Sequence, residues 1–236
     1  MISEYFFPDK ERLFAALLAE CSQILSAAIE ARQSASMLVS GGGTPAPLYQ
    51  KLSSALLDWQ RITVALVDER WVDVDHPGSN TAFIIENLLQ KNAAAAKFVP
   101  MKTPEKTASL ALSSCEKRYR HLSRPFDLVI LGMGPDSHMA SLFPQASGLA
   151  EALDINHKKL CVAINANPSE VTGELTERMS LSLFGLLQSR QVHLLITGDE
   201  KLAVYKEALA SDDFMLTPIS ALLQQERVHV KVYWAP

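Results

Sequence analysis

The chain has 236 residues, of which 48% are hydrophobic and 20% are charged, a composition typical of soluble globular proteins. Its formal charge of −4, from 22 basic and 26 acidic residues, argues against nucleic acid or an acidic membrane surface as a partner. Three widely separated cysteines favour neither a zinc site nor a disulfide framework, so we expect reduced, mostly buried thiols. Neither a signal peptide nor an apolar stretch of ~20 residues is evident, which predicts a cytoplasmic protein.

Helical and strand patterns alternate from the N-terminus onward. Apolar residues at helical spacing predict a helix over 9–31 with Asp9 as its N-cap. The run SMLV then predicts a strand, and a helix is expected near 46–57. The next strand, RITVALVDE, begins at residue 61, so the first part of the chain has the pattern of an α/β protein.

The same alternation continues to the C-terminus. We expect one helix to begin after Ser79 or Asn80, and another with Thr103 as cap and Pro104 at its first position, ending near residue 121. The remaining predicted elements are the strand FDLVILGMG, a short helix opened by HMASLF, the strand KLCVAIN, a short strand entering a helix in RMSLSLFGLLQ, the strand VHLLITG, the helix DEKLAVYKEAL and the terminal strand VHVKVYW.

The central strands are continuous apolar runs, which is typical of a parallel sheet covered on both faces. No repeat, low-complexity tract or long linker divides the chain, so we expect a single α/β domain over residues 1–236. Ligands of such sheets bind outside the carboxyl ends of the strands. The residues that follow each strand are therefore the candidate functional residues.

The loop SGGGTPA follows the first apolar strand and precedes a predicted helix. Its bare backbone N–H groups and the Thr44 hydroxyl suit an anion such as phosphate. The same loop fits G-x-G-x-x-A through Gly41, Gly43 and Ala46, with Asp68 beyond, so a nicotinamide-binding fingerprint is an alternative. A turn selected for tight packing between strand and helix is a third interpretation.

The segment GMGPDSHMASLF contains the candidate base. His138 falls in the first turn of the predicted short helix, where the helix dipole favours the neutral imidazole that a general base requires. Asp136 either caps that helix or accepts a hydrogen bond from His138 and orients it. A polar histidine with no catalytic task is the simpler interpretation.

Three cations also follow strands or begin helices. Arg70, beside Asp68, presents a donor fork that suits phosphate or carboxylate, although a surface ion pair explains this pattern equally well. Lys201 opposes the dipole at the start of a predicted helix unless an anion lies nearby, and Arg178 is ambiguous by itself. With His138 and the glycine loop, these residues indicate a site for acid–base chemistry on a phosphorylated small molecule.

Five motifs occur in a characteristic order: SGGGTP, VDERWV with SN at 79–80, FDLVILGMGPDSHMASLFP, ERMSLS and TGDEK. Together they resemble the 6-phosphogluconolactonase family over about residues 38–206, and the long central motif is highly specific. That family shares its fold with glucosamine-6-phosphate deaminases. The resemblance implies a modified Rossmann-like, parallel-rich sheet with helices on both faces.

The resemblance also implies hydrolysis of 6-phospho-D-glucono-1,5-lactone in the oxidative pentose phosphate pathway, with no metal or organic cofactor. By motif, His138 is the implied general base and Asp136 orients it. The implied substrate-binding residues are Gly42, Gly43 and Thr44 around the phosphate, Arg178 and Lys201 as added charge, and Asp68 and Arg70 facing sugar or phosphate. The implied partner is a small phosphorylated sugar lactone, and the expected assembly is a monomer or small homo-oligomer.

Two residues depart from the family pattern. Ser137 and Gln145 stand where the family usually has glycine, and Ser137 is strained if that position has a positive φ. This departure favours one alternative, a sugar-phosphate sensor without catalysis. An amino-sugar-phosphate deaminase would carry a glutamate shortly beyond the histidine, where this chain has Phe143. A nicotinamide-dependent dehydrogenase would leave His138 unexplained.

Overall fold

The structure is a computed structural model that describes all 236 residues. The strands are β1 (Ile2–Phe6), β2 (Ala35–Val39), β3 (Ile62–Leu66), β4 (Asp68–Arg70), β5 (Lys97–Val99), β6 (Leu128–Gly132), β7 (Cys161–Asn165), β8 (Glu177–Leu181), β9 (Gln191–Thr197) and β10 (His229–Ala235). The helices are α1 (Lys10–Arg32), α2 (Ala46–Leu52), α3 (Asn80–Asn87), α4 (Ala108–Arg120), α5 (Leu149–Leu153), α6 (Leu183–Leu186), α7 (Asp199–Ala208) and α8 (Pro218–Leu223).

Seven strands form one sheet in the order β1-β10-β9-β6-β2-β3-β5. Every neighbouring pair in it is parallel, and helices flank the sheet, which confirms the predicted α/β fold. The interior strand β2 is buried along its whole length, as its continuous apolar sequence predicts. One contiguous core joins the buried residues, and all three cysteines lie in it as free thiols.

A second, smaller sheet has the order β4-β8-β7 and is antiparallel, which the sequence did not predict. The strand expected from residue 61 is broken at Val67. The Val67 N–H donates to the Val39 carbonyl of the large sheet at 3.0 Å, while the Val67 carbonyl accepts from the Leu181 N–H of the small sheet at 2.7 Å. The chain therefore passes from one sheet to the other at this residue and carries β4 toward the functional site.

Two predicted helix starts are confirmed by their caps. The Asp9 carboxylate accepts a hydrogen bond from the Arg12 N–H at 2.8 Å at the start of α1, and the Ser79 hydroxyl accepts from the Ala82 N–H at the start of α3. By length and composition alone, α1 is apolar enough to cross a membrane, contrary to the sequence expectation. In the fold, Leu17 on its inner face is fully buried in the core.

Two other helix predictions are wrong in extent. The helix expected from Thr103 begins instead at Ala108, where the Thr107 hydroxyl is the N-cap. The Glu105 carbonyl accepts a hydrogen bond from the Trp71 indole, a tertiary contact that holds this segment as a loop. The helix expected over 46–57 ends at Leu52 and continues as turns. Four elements were not predicted, β1, β5, α5 and α8, and each is short or lies at a sheet edge.

Candidate active site

A cleft of about 240 Å³ opens at the carboxyl ends of β2, β6 and β9 and beside β4. All of the predicted site residues line it except Asp136, which stands behind His138. The predicted residues in the lining are Gly42, Gly43, Thr44, Asp68, Arg70, His138, Arg178 and Lys201. The fold therefore brings together residues that are spread over most of the chain.

The glycine loop needs its glycines for different reasons. Gly42 has φ +98°, a left-handed conformation that strains other residues. A Cβ on Gly41 would lie 2.1 Å from Asn80 Oδ1, so this position tolerates no side chain. Gly43 borders open space in the cleft instead. The backbone N–H groups from Gly41 to Thr44 donate to no acceptor in the protein, so they are free to bind an anion.

The helix predicted at HMASLF is absent, so the helix-dipole argument for His138 is wrong. The segment is a compact turn, in which the Gly134 N–H donates to the His138 carbonyl at 2.9 Å and the Ser137 N–H donates to the Gly134 carbonyl at 3.1 Å. A Cβ on Gly134 would lie 2.1 Å from His138 Nδ1. The turn therefore requires glycine at 134 because the imidazole packs directly against that backbone.

His138 and Asp136 form a hydrogen-bonded pair. His138 Nδ1 lies 2.5 Å from Asp136 Oδ1, and the His138 ring packs on Phe143 with centroids 4.2 Å apart. Burial opposes ionisation of Asp136, but the hydrogen bond and charge interaction with His138 outweigh it and lower the pKa of the carboxyl group. An ionised Asp136 accepts the Nδ1 proton, which leaves Nε2 of His138 as the nitrogen able to accept a proton.

Arg70 and Arg178 are cross-strand partners on β4 and β8. Arg178 is only 4% exposed, and its guanidinium donates to the carbonyls of Leu175 and Thr172 and lies 5.2 Å from the Phe143 ring centroid. Burial lowers the pKa of Arg178 to about 10. Like charges directly opposite each other destabilise a sheet, so an anion bound between them would be stabilising.

Asp68 and Lys201 both line the cleft. Asp68 is buried, and its Oδ2 accepts a hydrogen bond from the Ser141 hydroxyl at 2.6 Å. Lys201 lies in the first turn of α7, as predicted, and its ammonium group has no hydrogen-bond acceptor in the protein. Burial lowers the pKa of Lys201, because desolvation disfavours its charged form. An anion in the cleft would compensate that desolvation.

Both departures from the family pattern fall on left-handed backbone. Ser137 has φ +67° and Gln145 has φ +55°, the region in which glycine is favoured. Ser137 therefore has the positive φ at which a residue other than glycine is strained. The strain leaves the neighbouring dyad in place, because His138 still contacts Asp136 at 2.5 Å. The Ser137 hydroxyl makes a single long contact, 3.4 Å, with the Leu216 carbonyl.

Two further residues of the cleft, Asn80 and Phe143, were not predicted as site residues and contact residues that were. Asn80 lines it and donates from Nδ2 to the Asp68 carbonyl at 2.9 Å. Phe143 lies between His138 and Arg178 and contacts both. Both residues lie in the family motifs of the sequence, but their contacts in the cleft depend on tertiary packing. No cluster of three or more His, Cys, Asp or Glu side chains is arranged to hold a metal ion.

The chain is similar to known proteins over almost its whole length. A family model described as glucosamine-6-phosphate isomerases/6-phosphogluconolactonase matches residues 8–234. The chain is 38% identical over 232 residues to a 6-phosphogluconolactonase of Rhizobium meliloti (strain 1021), covering 98% of each chain. It is 37% identical to a 6-phosphogluconolactonase of Mesorhizobium japonicum, with 98% of this chain and 94% of the relative covered.

A solved structure gives the same likeness. The crystal structure of a 6-phosphogluconolactonase from Shewanella baltica OS155 superposes with a TM-score of 0.94 and 38% sequence identity. The match covers 100% of this chain and 98% of the other. The two folds therefore correspond over their whole length, including the segments that form the cleft.

Proposed function

Because the chain belongs to the family of glucosamine-6-phosphate isomerases and 6-phosphogluconolactonases, we propose that it hydrolyses 6-phospho-D-glucono-1,5-lactone to 6-phospho-D-gluconate. This reaction belongs to the oxidative pentose phosphate pathway, and we place it in the cytoplasm. The observation that carries the proposal is the His138–Asp136 pair at 2.5 Å beside an anion-binding loop whose N–H groups are free.

His138 is the general base of the proposed reaction. Its Nε2 removes a proton from a water molecule, whose oxygen forms a bond to the lactone carbonyl carbon. The tetrahedral intermediate then breaks its bond to the ring oxygen, which receives the proton from the imidazolium. Asp136 stabilises that imidazolium and holds the Nδ1–H tautomer. The lactone is already reactive, so one base with positioning and charge stabilisation suffices.

The substrate phosphate binds to the glycine loop in this proposal. The N–H groups of Gly42 and Gly43 and the Thr44 hydroxyl cradle it, and Lys201 and Arg178 add positive charge. Arg70 and Asp68 face the sugar or the phosphate. The pairing of Arg70 with Arg178 across β4 and β8 supports an anionic ligand, since two guanidinium groups line one cleft and neither forms a salt bridge with a carboxylate.

Two alternative activities fit the cleft less well. A deaminase would need a further proton-transfer group beyond the histidine, and this chain has Phe143 packed between His138 and Arg178 there. A nicotinamide-dependent dehydrogenase would leave the His138–Asp136 pair and Lys201 without a role.

The test is hydrolysis of freshly prepared 6-phosphoglucono-δ-lactone by the wild type and His138→Ala. We expect a catalysed rate that falls by ~100-fold or more in the variant, in the range seen when a general base is removed. His121→Ala, at an exposed position after α4, is the matched control and should retain full activity. If the lactone is hydrolysed no faster with the wild type than in buffer alone, the proposed enzymatic activity is wrong. If 6-phosphogluconate still raised the melting temperature, the chain would be a sensor.

A further inference from the structure

Glu69 is a fully buried carboxylate between two cleft residues. It is the central residue of β4, with Asp68 before it and Arg70 after it. Because side chains alternate along a strand, Asp68 and Arg70 project to one face and Glu69 to the other. Glu69 does not line the cleft, and the proposed chemistry does not use it.

The Glu69 carboxylate accepts hydrogen bonds from two parts of the chain. Its Oε1 accepts from the backbone N–H of Asn80 at 2.7 Å and from that of Arg70 at 2.9 Å. Its Oε2 accepts from the N–H and the hydroxyl of Thr81, both at 2.8 Å, and from the Ser79 hydroxyl at 3.4 Å. One buried group thus joins β4 to the first turn of α3, where the helix dipole favours a negative charge.

The residues held in this way form one wall of the cleft. Asn80 donates to the Asp68 carbonyl, and its Oδ1 occupies the space beside Gly41 that a Cβ would fill. Arg70 donates from its guanidinium to the Gly78 carbonyl at 2.6 Å, immediately before the α3 cap. A shift of β4 relative to α3 would therefore displace Arg70 and the glycine loop together.

We propose that Glu69 is a positioning residue of the active site, which holds Arg70 and Asn80 at the distances that substrate binding requires. It acts through these neighbours and does not touch the substrate. The inference rests on the proposed lactonase function and extends it to a residue outside the cleft. Burial raises the pKa of Glu69, while its five donors favour the charged carboxylate and are all in place only while β4 and α3 keep this register.

The first test compares Glu69→Gln with Asp127→Asn. Glutamine at position 69 keeps the shape of the side chain, but its NH₂ group faces backbone N–H groups and cannot accept their hydrogen bonds. We expect KM to rise and kcat/KM to fall by ~10-fold or more, since small displacements of a binding group are costly. Asp127 is also a buried carboxylate, bonded to Arg32 and Ser36 at the start of β6, away from the cleft. Asp127→Asn should lower the melting temperature and leave KM unchanged.

The second test separates positioning from general stability. In an Arg70→Ala background, Glu69→Gln should cost at least ~3-fold less in kcat/KM than it does in the wild type, because coupled residues are not additive. Glu69→Gln should lower the melting temperature as much in the Arg70→Ala background as in the wild type. If the fold-loss of kcat/KM in the double variant equals the product of the losses in the two single variants, the proposal is wrong. If Glu69→Gln does not fold, Thr81→Val, which removes one donor, should raise KM by a smaller factor.

The outcomes also distinguish this inference from the proposed function. An active wild type with unchanged KM in Glu69→Gln overturns the positioning role and leaves the lactonase intact. A wild type that neither hydrolyses the lactone nor binds 6-phosphogluconate in calorimetry overturns both.

Discussion

Arg70 and Arg178 lie directly opposite each other on β4 and β8, and both line the cleft. Their side chains share one face of the small sheet, so two guanidinium groups stand together without a carboxylate salt bridge to either. The repulsion between the two guanidinium groups is offset in the free protein by the attraction of Asp68 for Arg178, and a dianion such as phosphate would add a further attraction. The pair is therefore the structural feature that best predicts what the cleft binds.

We expect Arg70→Ala to reduce the stabilisation of the protein by bound ligand more than it reduces the stability of the ligand-free protein. A saturating ligand at ~100 times its Kd raises the free energy of unfolding by about 2.7 kcal/mol. With 6-phosphogluconate, the wild type should show a stabilisation of this order, and Arg70→Ala should lose most of it because one charge of the anion site is gone. Thermal melting with and without 6-phosphogluconate measures this. An equal shift in both proteins would contradict the assignment.

Asp136→Asn should impair the chemical step and leave binding largely intact. The amide removes the charge that stabilises the imidazolium and orients Nδ1, so we expect kcat to fall by ~100-fold or more. KM should stay within about threefold, because Asp136 does not line the cleft. Steady-state kinetics on fresh lactone provide the measurement. A rise in KM at constant kcat would instead assign Asp136 to substrate binding.

Ser137→Gly and Gln145→Gly should each stabilise the protein. A left-handed residue costs about 1–2 kcal/mol, while glycine costs roughly 0.5–1 kcal/mol in conformational entropy, so the net gain is about 0.5–1 kcal/mol. Urea denaturation measures the change. Ser137→Ala is the control, since alanine has the same φ restriction and should give no gain. A Ser137→Gly variant no more stable than Ser137→Ala would refute strain at this turn.

His193 should make the fold sensitive to acid. It is fully buried on β9, both ring nitrogens lack hydrogen-bond partners, and Glu20 lies 3.8 Å away. Burial lowers the pKa of His193 to about 4, against an ordinary value near 6.5. The unfolded state therefore binds a proton before the folded state does, and stability is lost as the pH falls from about 6.5 to 4.

The loss attributable to His193 is at most about 3.5 kcal/mol, because each pKa unit corresponds to ~1.4 kcal/mol. His193→Leu should flatten the dependence of the unfolding free energy on pH across this range. His157→Leu, at a half-buried histidine on a loop, is the control and should keep the wild-type slope. If the two variants have the same slope as the wild type, His193 does not control acid stability.

The sequence by itself determined the parallel α/β fold and the end of the sheet at which the cleft lies. Continuous apolar runs such as β2 and the glycines that follow them carry this information locally, since burial and backbone freedom are properties of the residues themselves. The family motifs also identified His138, Asp136 and the cations, all of which the fold brings to one cleft or directly behind it.

Only the tertiary structure decided the rest. The crossing between sheets at Val67, the turn around His138 and the late start of α4 at Ala108 all depend on hydrogen bonds or packing between segments distant in sequence. The same holds for Glu69, which looks like an ordinary charged residue beside Arg70 until α3 supplies its donors. Local propensity is worth a fraction of a kcal/mol per residue, and a buried hydrogen bond to a charged group outweighs it.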